Sequence, residues 1–316
     1  MPQLSEELAG RVDTAVETLL PARRESDPAQ LAAVGTSLLR KMPKSLTELT
    51  EKAAVQTVRT VALIGGSEAL GLLSSYVGDK RDRVVRQLIQ SWSYFDPDPY
   101  ADAVLSGIQL AHHEVVVKHS GQLRALRRLA PTDVDIYFPL DDLGALRMLP
   151  PLHDLSLWSL TGEADLSLIP HMPDLDALAL DGDAAFTHME ALERFTSLRH
   201  LAISVRNTSD LSSLRLAEKT SHLSLWDVHS GTDLTPCHTA LSGLDRLYLW
   251  AADSSPVNLT ALPAVPVLQL QEVDVRAWLE TPGFKPPEVE HLILMGCLLP
   301  DDRGSLDFPG VEVHIF

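Results

Sequence analysis

Apolar residues recur with a fixed spacing through the last two-thirds of the chain. A Leu-x-x-Leu-x-Leu pattern, with Val or Ile at some positions, occurs six times, and a weaker seventh copy has Thr220 at its first position. The middle apolar residues of the seven copies are Leu155, Leu178, Leu201, Leu223, Leu247, Leu268 and Leu292. The alternation at the end of each copy predicts a short strand with one buried face.

The seven copies are separated by 23, 23, 22, 24, 21 and 24 residues. A period of about 20–29 residues with this spacing is typical of a leucine-rich repeat. It predicts an α/β fold in which a solenoid carries a parallel β-sheet on its concave face, with degenerate end strands near Val134 and Val313. Such a fold favours a binding surface over an active site.

The second half of several repeats contains Asp or Asn directly before a leucine. Such a residue can cap a short turn of helix after the strand. The pairs are Asp165-Leu166, Asp210-Leu211, Asp233-Leu234 and Asn258-Leu259.

Helical spacing dominates the first hundred residues. Helices are predicted over Leu4–Leu20 and from Asp27 to about Met42, and Ser45 with Glu48 has the spacing of a capping box for a third helix. Gly65-Gly66 ends that third helix. Shorter helices follow over 67–76, 83–92 and 100–105, and the first two of these look like one HEAT-type helical pair.

The spacing of apolar residues is no longer purely helical after Gly107. Val115-Val116-Val117 predicts a strand, Gln122–Leu129 a helix and Val134–Phe138 another strand. We therefore predict an α-helical HEAT-like domain over residues 1–108 and a leucine-rich-repeat domain over residues 109–316.

Two sets of residues resemble the C-terminal region of actinobacterial NACHT-type NTPases of the STAND class. One is the helical stretch with Val58–Gly66, Val84–Leu88 and Trp92–Pro97, and the other is the group of repeats with Asp-Leu-Ser or Asp-Leu-Thr in their second halves. The resemblance implies a sensing and autoinhibitory arm for an NTPase switch, with a role in bacterial immunity. The sequence has no Gly-x-x-x-x-Gly-Lys-Ser/Thr motif to hold nucleotide phosphates, so an NTPase domain would have to act in cis or in trans.

We therefore expect a non-enzymatic module that recognises a ligand or a protein, as the sensor arm of an NACHT-like protein. The alternative is a stand-alone leucine-rich-repeat inhibitor or scaffold that binds one protein partner. An NTPase encoded upstream would favour the first.

Negative charge is concentrated in the repeats. The net charge is -17; residues 1–108 have 12 Lys+Arg against 14 Asp+Glu, and residues 109–316 have 14 against 29. Phosphate backbones and anionic lipid would be repelled, so we expect no nucleic acid and no membrane, and a partner that is neutral or basic. The acidity is equally explained by the need to keep the repeats in solution.

Targeting signals are not evident in the sequence. No window approaches 18 uninterrupted apolar residues, and the N-terminus lacks the basic and apolar regions of a signal peptide. The two cysteines, Cys237 and Cys297, do not form a disulfide framework. We expect a cytoplasmic protein.

Motifs for catalysis are incomplete. His113-Glu114 begins like the zinc motif His-Glu-x-x-His, but Val117 stands where the second histidine must be. Acidic pairs such as Asp181 with Asp183 are explained by turns. We predict no catalytic residues and no cofactor.

A histidine pair offers a weaker possibility. His200 and His222 share a column on adjacent strands and could chelate a metal, but Arg246 comes next in the column and would repel a cation. We therefore predict no metal site.

The strand period places the third, fifth and seventh residues of each repeat on the concave face. Three of the five tryptophans of the chain fall at the seventh position, and Trp226 and Trp250 are expected on adjacent strands beside a hollow left by Ala179 and Ala202. Exposed aromatic clusters mark binding sites, although these rings could also pack on one another or lie under the helical domain. The predicted partner-binding residues are Trp158, Asp181, His200, His222, Trp226, Arg246, Tyr248 and Trp250.

Overall fold

A computed structural model describes residues 37–140, 142–208, 210–229, 243–252, 264–280 and 288–316, together with residues 35, 232, 234, 235, 241 and 262. The fold is α/β, with ten strands in one parallel sheet and several helices. The chain divides into two compact units, unit 1 at 1–133 and unit 2 at 134–316. The helix predicted over Leu4–Leu20 and most of the one from Asp27 lie outside the described residues, as do Asp233 and Asn258.

Unit 1 is mainly helical. Its described helices are α1 (Glu51–Ile64), α2 (Gly66–Tyr76), α3 (Asp82–Gln90), α4 (Pro97–Ala103) and α5 (Gly121–Leu129), and its strand is β1 (Glu114–Val117). Single 3-10 turns are formed by Ser91–Tyr94, Leu105–Gly107 and Leu110–His112. The strand predicted at Val115 and the helix predicted at Gln122 are confirmed.

The start of α1 differs from the prediction. Thr50, not Ser45, is the N-cap: its Oγ1 accepts a hydrogen bond of 3.3 Å from the Ala53 amide, and Ser45 lies outside the helix, before a turn at Thr47 and Glu48. The predicted capping box is wrong because the guanidinium of Arg81 binds the carbonyls of Leu46 and Leu49, which keeps this segment out of the helix. Gly65 ends α1 with φ 72°, as predicted.

Buried hydrogen bonds connect the short helices of unit 1. The inner face of α3 is formed by Val84, Val85, Leu88 and Ile89, all buried as the helical spacing predicts. Tyr100 in α4 donates its hydroxyl proton to the Leu88 carbonyl at 2.7 Å, and the Trp92 indole donates to the Pro97 carbonyl at 3.0 Å. Both rings are fully buried, so their polar atoms need these partners.

Helix α5 belongs with unit 1. Arg128 at its C-terminal end donates to Asp98 and Asp102, each at 3.0 Å, and both carboxylates lie in α4. The units consequently divide between Asp133 and Val134, whereas the sequence placed the domain boundary after Ile108.

The strands of unit 2 follow one another in the sheet in the order of the chain. They are β2 (Asp133–Ile136), which begins at the boundary, then β3 (Asp154–Leu160), β5 (Ala177–Gly182), β7 (His200–Ser204), β8 (His222–Val228), β9 (Arg246–Ala251), β10 (Val267–Gln271), β11 (His291–Met295) and β12 (Glu312–Ile315). Strands β4 (Glu163–Asp165) and β6 (Ala185–Thr187) form a separate parallel pair. Every strand predicted from the leucine spacing is present.

Register keeps the leucines in columns. Leu155 pairs with Leu178, Leu178 with Leu201, Leu201 with Leu223, and Leu223 with Leu247. All of these side chains are buried, and each contributes about 1.5–3 kcal/mol of apolar burial. The opposite face of the sheet therefore receives the residues between them.

Aspartates cap the segments that return from one strand to the next. Each carboxylate accepts a backbone N–H from two or three residues further on, at 2.7–3.2 Å; the residues are Asp142, Asp165, Asp210, Asp274 and Asp302. The capping predicted at Asp165 and Asp210 is confirmed. Asp274 opens helix α6 (Val275–Leu279), and Asp165 opens the 3-10 turn Leu166–Leu168. Among the described residues, no helix is long and apolar enough to cross a membrane.

Candidate binding face

The outer face of the unit 2 sheet is the side opposite the buried leucine columns. It carries the residues at the third, fifth and seventh positions of the repeats, which are half-buried or exposed in most strands. A cavity of about 460 Å³ opens on this face across β3, β5, β7, β8, β9 and β10. Small side chains at Ala177, Ala179 and Ala202 line it. Ala179 and Ala202 are residues at which the sequence predicts a hollow.

Two histidines border the cavity. The rings of His200 and His222 lie on paired strands with centroids 4.6 Å apart and planes inclined by 38°. His222 Nδ1 is 2.8 Å from the Ser221 hydroxyl. Burial lowers the pKa of His222, and the nearby His200 and Arg246 lower this pKa further, so the His222 ring is neutral at pH 7. A neutral imidazole can both donate and accept a hydrogen bond.

Tyr248 also lines the cavity. Its hydroxyl donates to Oε1 of Gln271 on the neighbouring strand β10, and burial raises the pKa of this hydroxyl. The phenol therefore stays neutral at pH 7 and its ring is held against the sheet. Arg246 and Tyr248 together add a positive charge and an aromatic surface to the side of the cavity formed by β9.

Two of the three tryptophans pack on each other, which is the alternative that the sequence left open to an exposed aromatic cluster. Trp226 stacks on Trp158, with centroids 5.7 Å apart and planes inclined by 12°, and Trp158 also stacks on Tyr137 at 5.8 Å. Trp158 is on β3 and Trp226 on β8, and two strands, β5 and β7, lie between them in the sheet, so the two side chains must extend toward each other to stack. Trp250 is on β9, adjacent to β8 as expected, and its side chain is 38% exposed.

The predicted site residue Asp181 lies next to a charged cluster. Asp181 accepts the Gly182 amide at 2.8 Å, and burial raises the pKa of its carboxyl group. The buried Ser204 hydroxyl donates to Asp227 at 2.8 Å, and Arg206 donates to the same carboxylate at 3.1 Å. These hydrogen bonds connect the end of β7 to β8. Asp181 is not among the residues that line the cavity.

Six of the eight predicted residues fall into two groups, and Asp181 and Trp250 belong to neither. The cavity brings together His200, His222, Arg246 and Tyr248, while Trp158 and Trp226 form a packed stack outside its lining. Four further polar residues line the cavity and were not selected from the sequence: Asp154, Ser156, Ser224 and Gln269. They occupy the same third and fifth positions of the repeat as His200, His222, Arg246 and Tyr248, and this shared position is the signal by which the sequence identifies them.

Comparison with known proteins adds no family to this geometry. No model of a known protein family matches the chain. A search of curated proteins likewise returns no match.

The aromatic stack predicts a coupled stability effect. We expect Trp158→Ala and Trp226→Ala each to lower the free energy of unfolding by about 2 kcal/mol, because each removes a half-buried ring. The double variant should lower the free energy of unfolding by about 1 kcal/mol less than the sum of the two single effects, because the stacking contact is lost only once. Chemical denaturation of the four proteins measures this, and strict additivity would contradict the stack. Trp250→Ala is the control and should cost less than either.

Proposed function

We propose that this protein is a non-enzymatic recognition module that binds a protein partner or ligand on the outer face of unit 2. The observation that carries the proposal is the cavity of about 460 Å³ lined by His200, His222, Arg246 and Tyr248, with the exposed Trp250 on the same strand as the last two. Tyr, Trp and Arg in such a setting are the side chains that contribute most to protein binding.

We further propose that unit 2 is a leucine-rich-repeat solenoid with this face on its concave side. Two observations support this proposal. The parallel strands of the sheet follow the order of the chain, and the buried leucines are in register at intervals of 21 to 24 residues. Four described return segments, which begin at Asp142, Asp165, Asp274 and Asp302, each open a short helix with an aspartate cap, as expected for such repeats. In unit 1, the packing of α1 on α2 and on α3 supports a HEAT-like helical arrangement.

The third part of the proposal concerns the biological setting. We propose that the chain is the sensor or autoinhibitory arm of an NACHT-like signalling or defence protein, with its NTPase domain supplied in cis or in trans. A ligand that binds one arrangement of arm and switch more tightly than another would shift the equilibrium between them. The acidic charge of residues 109–316, 14 Lys+Arg against 29 Asp+Glu, favours a neutral or basic partner.

A stand-alone inhibitor or scaffold is the second candidate. The same acidic charge supports it, because one basic folded protein would be attracted to the outer face without any switch domain. The two candidates differ in what the protein captures: the sensor arm binds a P-loop NTPase, and the scaffold does not.

Affinity capture from the native host tests the outer face. We expect His200→Ala and Trp250→Ala each to reduce the amount of the specific partner by about tenfold. Both side chains are exposed on the face, His200 lines the cavity, and tryptophan is a residue type of binding hot spots. His171→Ala is the matched control, since His171 is exposed on a return segment between strands. The captured proteins are quantified by mass spectrometry.

The same experiment can contradict the proposal. If the two face variants capture the same proteins in the same amounts as the wild type and His171→Ala, the outer face is not the binding site. If a specific partner is lost, no P-loop NTPase is among the captured proteins and none is encoded in the same reading frame, the scaffold is favoured over the sensor arm.

A further inference from the structure

Three potential metal ligands meet at the last two strands of unit 2. Strands β11 and β12 are parallel, and their register pairs His291 with Glu312 and Ile293 with His314. Because side chains alternate along a strand, Glu312 and His314 lie on the same side of β12. The in-register pairing places His291 beside Glu312 on that side. Two imidazoles and one carboxylate are thereby brought together from two neighbouring strands.

The distances between the ligand atoms suit a small metal ion. His291 Nδ1 is 3.2 Å from Glu312 Oε2, and His314 Nε2 is 3.4 Å from Glu312 Oε1. Zinc bonds of about 2.0–2.1 Å in a tetrahedral arrangement separate neighbouring ligand atoms by about 3.3 Å. One ligand atom from each of the three residues lies within 4.8 Å of the others. The side chains of His291, Glu312 and His314 are 42%, 62% and 39% exposed, so small rotations can bring the two imidazole nitrogens closer.

We propose that His291, Glu312 and His314 bind a zinc ion. Imidazole nitrogen together with one carboxylate oxygen is a ligand set that zinc prefers, whereas calcium and magnesium prefer oxygen ligands throughout. Three protein ligands leave a fourth tetrahedral position for water. The site is independent of the cavity on the outer face, whose last lining residue is Gln269 on β10.

The ion would connect β12 to β11. Four register pairs hold β12 in the sheet, and among the described strands β12 pairs with β11 alone. A metal ion that is bound by residues of both strands stabilises the folded form, because the unfolded chain does not hold the three groups together. The site is therefore a structural clamp for the last repeat.

A plain hydrogen-bonded arrangement of histidine and glutamate is the competing explanation. The molecule contains a matched example of it: His188 Nδ1 lies 3.2 Å from Glu190 Oε1, and both side chains are similarly exposed at 57% and 53%. This pair lacks a third ligand among the described residues and does not meet the geometry of a metal site. His188→Ala is consequently the control for the loss of one exposed histidine paired with a glutamate.

Calorimetric titration of the full chain with zinc chloride, after removal of metal by EDTA, tests the site. The wild type and His188→Ala are expected to bind one zinc ion at this site, and His314→Ala and Glu312→Gln to bind it at least about tenfold more weakly. Zinc should also raise the melting temperature of the wild type and of His188→Ala, but raise that of the two site variants far less. Glu312→Gln keeps the size of the side chain, so it remains informative if His314→Ala fails to fold.

Three results would overturn the assignment. The first is a wild type with no zinc binding at micromolar concentrations. The second is equal zinc affinity in the wild type, His314→Ala and Glu312→Gln. The third is loss of the bound zinc in His200→Ala, which would move the site to the histidine pair beside the cavity.

Discussion

Replacing Gly182 with alanine is expected to lower the free energy of unfolding of unit 2 by about 4 kcal/mol and its melting temperature by about 10 °C. Gly182 ends β5 with φ 138°, a conformation that L side chains rarely adopt. A Cβ atom there would lie 2.5 Å from the backbone nitrogen of Leu160 and closer still to its carbonyl oxygen. Since backbone atoms cannot rotate away, β3 and β5 would have to separate.

Gly162→Ala is the matched control for this variant. Gly162 also has a positive φ, 70°, but its added Cβ would meet no atom within 4 Å. We expect Gly162→Ala to lower the free energy of unfolding by only about 1 kcal/mol, because the unfavourable backbone conformation is its sole cost. Thermal and chemical denaturation of both variants measure the difference. Equal stability of the two would show that β3 and β5 do not approach so closely at Leu160.

Replacing Arg81 with alanine is expected to lower the free energy of unfolding by about 3 kcal/mol. The Arg81 guanidinium donates to the carbonyls of Leu49 and Leu46 at 2.7 and 2.9 Å and forms an ion pair with Asp79. The Asp79 side chain is only 7% exposed, so without Arg81 it would be a buried carboxylate that has lost its counter-ion. The segment before α1 would lose its attachment to the start of α3.

Arg86→Ala is the control for the loss of an arginine. Arg86 donates to Asp82 at 2.9 Å, but both side chains are exposed and one helical turn apart. Such pairs contribute about 0.3–0.5 kcal/mol, so this variant should unfold almost as the wild type does. A similar loss in both variants would contradict the role of Arg81 as the connection between the two segments.

The same ion pair gives unit 1 a dependence on pH. The hydrogen bond from Arg81 lowers the pKa of Asp79 below its ordinary value. A carboxyl group with a lowered pKa in the folded protein stabilises the fold above its unfolded pKa, about 4, and this stabilisation is lost as the pH falls through the folded pKa. Denaturation between pH 7 and pH 2 should therefore show a loss of stability below about pH 4 that is smaller in Arg81→Ala.

Much of unit 2 could be predicted from the sequence because a strand in a repeat has a local signature. Leucines at Leu155, Leu178 and Leu201 alternate with polar or small residues, and this alternation assigns each side chain to one face. The same rule placed His200, His222, Arg246 and Tyr248 on one surface, where the structure has them around a cavity. The aspartate caps at Asp165 and Asp210 were predictable for the same reason, since a cap acts on the next two or three residues.

The start of α1 was not predictable in this way. Ser45 with Glu48 and Thr50 with Ala53 are both acceptable caps by local criteria, and Arg81, more than thirty residues later, decides between them by binding two carbonyls. The stack of Trp158 on Trp226 has a similar origin. The position of a residue in a column does not determine which way a long side chain extends, and here the two indoles meet across two intervening strands.

The sequence by itself determined the strands, their period, the buried columns and the face to which each side chain belongs, because these follow from the alternation of side chains along a strand and from the repeat length. Only the tertiary structure decided which side chains meet: the cavity around His200 and His222, the tryptophan stack and the cluster of His291, Glu312 and His314. Such contacts depend on the register between strands and on side-chain rotation, and both are set by packing between residues that are distant in the chain.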